Sequence, residues 1–227
     1  MLSREAIKAG VIQELVRARP ELGRVLSEEE LRTSRAVALA ARPEPGDVWL
    51  FGYGSLLWNP AFHFVERRVA LLRGWHRRFC LWTHLGRGSP ERPGLVLGLE
   101  QGGSCQGIAF RIAAGDVEEE LEILWRREMV TGAYRPVWLA VNTARARITA
   151  LTFVIDPSHE RYARDLPEER IVEVVATAGG ALGPCAEYLL NTVAHLEQLG
   201  LDDPHLRRLG AQVCAMRPDE QDTAAPS

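Results

Sequence analysis

The chain has 227 residues, of which 46% are hydrophobic and 25% charged, and a formal net charge of −3 at neutral pH. A polypeptide of this size and apolar content buries most of its surface on folding, which excludes a disordered or fibrous body. A slight negative charge supplies no field for nucleic acid or an anionic membrane, so a small molecule or a protein is the expected partner.

Met1 to Arg17 alternates charged with apolar residues and lacks the apolar stretch of a secretory signal, so a cytoplasmic location is expected. Ser27-Glu28-Glu29-Glu30 has the spacing of a capping box. Apolar residues follow at helical intervals until Pro43 and Pro45. Residues 1–46 are therefore read as a helical N-terminal extension and linker. Val48 to Val65 contains no charged side chain and is long enough for a membrane span. Gly52, Gly54, Asn59 and Pro60 interrupt it, so it reads as a buried strand over Val48 to Phe51, then loop and turn.

From Val69 to Ile112 the pattern predicts short strands punctuated by glycine and proline, at Arg78 to Thr83, Gly86 to Gly94, Leu95 to Leu99 and Gly107 to Ile112, with Gly102-Gly103 as a turn. Several short strands with glycine turns suggest a small curled sheet or barrel. Asp116 to Met129 carries the clearest helical stripe. Strands are expected at Val137 to Asn142 and Ile148 to Ile155, and helices at Arg170 to Thr177, Ala186 to Leu199 and His205 to Met216. The polar tail 217–227 is expected to be disordered. The fold class is α+β, with a domain over 47–216.

Five features could carry chemistry. Gly52-Tyr53-Gly54-Ser55-Leu56-Leu57 leaves an apolar strand, and its glycines let successive N–H groups face one concavity, as an anion cradle or an ordinary turn would. It lacks the surroundings of a nucleophile elbow or a P-loop. Glu128 falls at i+7 from Leu121, on the side of Leu124 and Trp125, so its carboxylate faces inward unless it swings to solvent or pairs with Arg127 or Arg135. Desolvation raises a carboxyl pKa toward the range of a general acid–base. Arg87, in a Gly/Pro-rich loop, could clamp a carboxylate or simply be solvated. Tyr188, early in a helix, could reach a pocket or sit in the core. His76, Cys80 and His84 would share one side of a helix, but the local pattern is a strand, which spreads the two histidines by more than about 20 Å. The four cysteines form no Cys-x-x-Cys pair.

The ordered set Val48-Trp49-Leu50-Phe51-Gly52-Tyr53-Gly54-Ser55-Leu56, Trp58-Asn59-Pro60, Arg78-Phe79-Cys80, Arg87-Gly88, Arg92-Pro93-Gly94, Gly107 to Arg111, Trp125-Arg126-Arg127-Glu128-Met129 and Glu187-Tyr188-Leu189 resembles the ChaC-type γ-glutamylcyclotransferases. The resemblance implies a small mixed β-barrel with flanking helices. It also implies cleavage of glutathione to 5-oxoproline and Cys-Gly, with no cofactor and no metal. It assigns Gly52, Tyr53, Gly54, Ser55, Leu56 and Leu57 to γ-glutamyl binding and Glu128 to proton transfer, and places Arg87 and Tyr188 near the pocket. The alternatives are a cyclotransferase for other γ-glutamyl amines and a non-catalytic small-ligand module. Protein partners are not specified by any motif.

Overall fold

The computed structural model describes residues 3–17 and 24–217. The expected disordered tail lies outside the described residues apart from Arg217. Five strands close a barrel in the order β1-β3-β2-β4-β5: β1 Val48–Gly52, β2 Glu66–Thr83, β3 Gly94–Ile112, β4 Tyr134–Thr143 and β5 Arg147–Ile155. All pairings are antiparallel except β1 with β5, where Leu50 lies opposite Leu151. Leu50, Phe51, Leu72, Leu97, Leu99 and Phe110, each at most 2% exposed, belong to one hydrophobic core that covers both faces of the barrel sheet. Burying side chains of this size contributes about 1.5–3 kcal/mol apiece.

The structure corrects the reading of the central region as several short strands. β2 and β3 are two long strands that pair almost from end to end. The register slips between Arg73 and Trp75, so that Gly74 faces the Gly102–Gly103 step, and all three glycines have positive φ. These residues are bulges within one bent hairpin, a geometry that glycine adopts without a Cβ clash. Of the expected strand Gly86 to Gly94, residues 86–93 form no strand and Gly94 opens β3. They close the β2–β3 connection, where Gly88 and Gly94 pack backbone to backbone so closely that neither tolerates a Cβ.

Helices cover the outside. The extension folds as α1 Arg4–Lys8, α2 Val11–Arg17 and α3 Glu28–Ala40, and the Ser27/Glu30 capping box forms in full. α4 Val117–Glu128 buries Leu121, Leu124 and Trp125 completely. The Trp125 indole meets Phe153 edge to face at 5.3 Å and donates to Ser34 Oγ, which docks α3. Arg4 reaches the nearly fully buried Glu120 through Nη2–Oε1 at 2.7 Å, and Gln13 donates to the Arg126 carbonyl at 2.8 Å, so α1 and α2 are held against α4. α5 Glu168–Thr177, a two-residue hairpin (β6 Gly179–Gly180 with β7 Gly183–Pro184), α6 Cys185–Gln198 and α7 Pro204–Ala215 complete the chain. Among the described residues no helix is long and apolar enough to cross a membrane. Val48 to Val65 is β1 followed by a 3₁₀ turn and loop.

Candidate active site

β4 pairs with β2 only from Ala70 to Leu72, opposite Thr143 to Val141. Beyond that contact the strands separate, and a cleft of about 240 Å³ opens where β2 ends and β4 begins. Ser55 and Trp58 enter it from the loop after β1, Arg127 and Glu128 from the end of α4, Tyr134 from the first residue of β4 and Tyr188 from α6.

Glu128 is positioned by helical periodicity. The residues one and two turns earlier are fully buried, so the last turn of α4 directs its carboxylate into the cleft with only 16% of the side chain exposed. Oε1 lies 3.1 Å from Arg127 Nε, yet no donor addresses it with hydrogen-bond geometry. Burial raises the Glu128 pKa above the ordinary carboxylate value, and the adjacent Arg127 charge only partly offsets this. The inward orientation and the Arg127 pairing, alternatives in the sequence, therefore coexist.

Arg127 joins this acid to the loop. Nη2 donates to Ser55 Oγ at 2.7 Å, and Nη1 donates to the carbonyls of Asn59 and Pro60. Ser55–Leu57 is a 3₁₀ turn, whose first N–H groups have no intrahelical acceptor and point outward from its start. Gly54 supplies the required clearance: a Cβ there would come within 3.0 Å of the Tyr188 hydroxyl and 3.8 Å of Leu97. Gly52 is equally constrained, by Leu56 and the Phe110 ring. The Tyr188 ring is wedged edge-on against Trp58 and Phe79 at 6.3 and 5.9 Å. Burial pushes its phenol pKa up, against a smaller lowering by the Leu97 backbone, so it stays a neutral donor at physiological pH.

Of the residues expected at the site, the cleft gathers Ser55, Arg87, Glu128 and Tyr188. The side chains of Tyr53, Leu56 and Leu57 turn into the core instead. The Tyr53 hydroxyl donates to the Phe153 carbonyl at 2.8 Å, and its own carbonyl accepts from the buried Arg77 at 2.9 Å, so Tyr53 anchors the loop. Arg87 reaches the cleft but commits Nη1 to the Pro184 carbonyl at 3.1 Å and to Glu187 at 3.2 Å. Sequence reasoning did not single out Tyr134, Arg161 or the clamp role of Arg127. The only local signal for Arg127 was its place beside Glu128.

His76 sits on β2, bonded to the Gly102 carbonyl and near Glu100. Cys80 is fully buried, and burial holds its thiol protonated, with the nearby Glu100 charge adding to the shift. Among the described residues no group of three His, Cys, Asp or Glu side chains is arranged to hold a metal ion.

Residues 48–216 match the family model described as ChaC-like protein. The glutathione-specific γ-glutamylcyclotransferase of Escherichia coli is 43% identical over 184 residues, covering 81% of this chain and 80% of that protein. The human glutathione-specific γ-glutamylcyclotransferase 1 is 32% identical over 182 residues, covering 77% and 82%. A crystal structure of a γ-glutamyl cyclotransferase specific to glutathione from yeast superposes with a TM-score of 0.70 at 21% identity, covering 75% of this chain and 96% of that one, and shows the same fold. The chain belongs to the ChaC-like family.

Proposed function

We propose that this protein is a glutathione-specific γ-glutamylcyclotransferase with Glu128 as its general acid–base. The observation that carries the reading is a carboxylate of raised pKa, sunk in a cleft that Ser55 of the glycine loop also lines, in a chain 43% identical to an enzyme of that name. In a γ-glutamyl amide the substrate's own α-amine can attack its γ-carbonyl. A new C–N bond closes the five-membered lactam while the old C–N bond to cysteinylglycine breaks. Such an intramolecular attack carries an effective molarity of about 10⁵ M or more when well aligned, so no protein nucleophile is needed.

Three tasks remain for the protein, and the cleft has a group for each. Ionised Glu128 takes a proton from the α-ammonium and later returns it to the departing amine. Its raised pKa brings both transfers closer to balance at neutral pH. The oxyanion that forms on the γ-carbonyl oxygen is met by the neutral Tyr188 phenol and by the N–H groups that open the Ser55–Leu57 turn. Arg127 fixes that turn relative to Glu128 through Ser55 and Asn59, and Arg87 and Arg161 add positive charge to a cleft that must receive a substrate with two carboxylates.

The test is product identification. Purified protein incubated with glutathione releases 5-oxoproline and Cys-Gly in equal amounts. Free glutamate as the product overturns the reaction type, equal rates on unrelated γ-glutamyl amines overturn the glutathione specificity, and binding without turnover supports the non-catalytic alternative.

A further inference from the structure

The family match begins at residue 48, yet two side chains from the preceding extension, Ile12 and Val16, line the same cleft as Glu128. They stand one turn apart on α2, so a single face of this short helix forms part of the wall. Val16 is 2% exposed and packs with Val130, with Ile12, Val25 and Leu85 completing a small apolar cluster separate from the barrel core. The wall is fastened to the helix that carries the acid, since Gln13 donates to the Arg126 carbonyl and Arg4 pairs with Glu119 and Glu120.

The chemistry fixes which part of the substrate meets this wall. Resting on the reading that Glu128 returns a proton to the departing amine, that nitrogen must lie within hydrogen-bond reach of the carboxylate. The cysteine Cα bonded to that nitrogen then projects its CH₂–SH branch from Glu128 into the neighbouring surface. Val130, two residues beyond Glu128, begins that surface, and Val16 and Ile12 continue it. The geometry points to α2 as the specificity element of the leaving-group subsite: Ile12 and Val16 form an apolar wall for the side chain of the residue that departs. The N-terminal extension thus selects for a small apolar or thiol-bearing leaving residue, while the barrel and α4 supply the reaction.

The experiment uses the full chain and two opposite changes at the partly exposed Ile12, with glutathione as substrate and γ-glutamyl-glycylglycine, which lacks the departing side chain, as a competing ligand. Ile12→Ala lowers kcat/KM for glutathione by about 10-fold or more, the range that one pocket methylene commands, chiefly through KM. It leaves the inhibition constant of γ-glutamyl-glycylglycine within about 2-fold. Ile12→Trp fills the subsite and lowers kcat/KM for glutathione at least as far, again sparing the glycyl analogue relative to glutathione. A purely structural role for α2 would instead lower Tm and weaken both compounds alike. Wild-type protein that turns over glutathione, with both variants leaving the ratio of the two compounds unchanged, overturns this inference alone. Wild-type protein that does not convert glutathione overturns the functional reading beneath it.

Discussion

Replacing Glu128 by Gln preserves shape and removes the titrating group, and the surroundings of Glu128 set two linked consequences. Losing a general acid–base costs about 10²–10⁴ in rate, or about 3–5 kcal/mol on the barrier. Activity does not fall to zero, because the loop and the Tyr188 region still fold the substrate into its attack geometry. Stability moves in the opposite sense. The folded-state pKa of Glu128 is raised, so its favourable contribution is complete below the unfolded pKa and is lost as pH rises through the raised folded value. At neutral pH an ionised carboxylate with an unbonded Oε1 is a net cost that Gln does not incur. The Tm of the wild type therefore declines relative to Glu128→Gln as pH rises through that window, and the variant is at least as stable at neutrality. Initial rates of 5-oxoproline release and calorimetric melts over one pH series measure both. A Gln variant that retains activity within about threefold of wild type refutes the proton-transfer role. A Tm difference independent of pH refutes the account of its burial.

Arg127→Met removes the three contacts that hold the loop and the cation that lies 3.1 Å from Glu128 Oε1. Hydrogen bonds from a charged donor are worth about 1.5–3 kcal/mol each, so a loss of about 3 kcal/mol or more is expected in urea unfolding. The acid limb of the kcat/KM profile should move to higher pH, because the one influence lowering the Glu128 pKa is gone. An unmoved limb in folded protein contradicts the electrostatic reading. Tyr188→Phe keeps the ring contacts with Trp58 and Phe79 and deletes a neutral donor, so kcat should drop about 10²-fold with little change in Tm, checked by steady-state kinetics alongside melting.

The parts of this molecule that were legible in its sequence are those specified by neighbours a few residues away. The capping box at Ser27 needs only its own four residues, and the inward face of α4 follows from the spacing of Leu121, Leu124, Trp125 and Glu128. β1 is apolar at nearly every position because β3 and β5 cover it on both edges and the core covers its face. What depended on a distant partner was not legible. Gly102–Gly103 reads as a turn because a positive-φ glycine in a turn and one in a bulge look alike until the opposite strand, here at Gly74, is known. Tyr53 looks like a binding residue beside two glycines, yet Phe153, 100 residues further on, is what draws its hydroxyl inward. The convergence of Ile12, Arg127, Tyr134 and Tyr188 on one cleft arises from barrel closure and helix docking, which leave no local pattern.

At the centre of the account is ring closure by the substrate's own amine, with no water attacking carbon. Glutathione turned over in water enriched in heavy oxygen, followed by mass spectrometry of the products, tests this directly. The account predicts 5-oxoproline whose ring carbonyl carries no solvent oxygen. Glutamate labelled at its γ-carboxyl would contradict it.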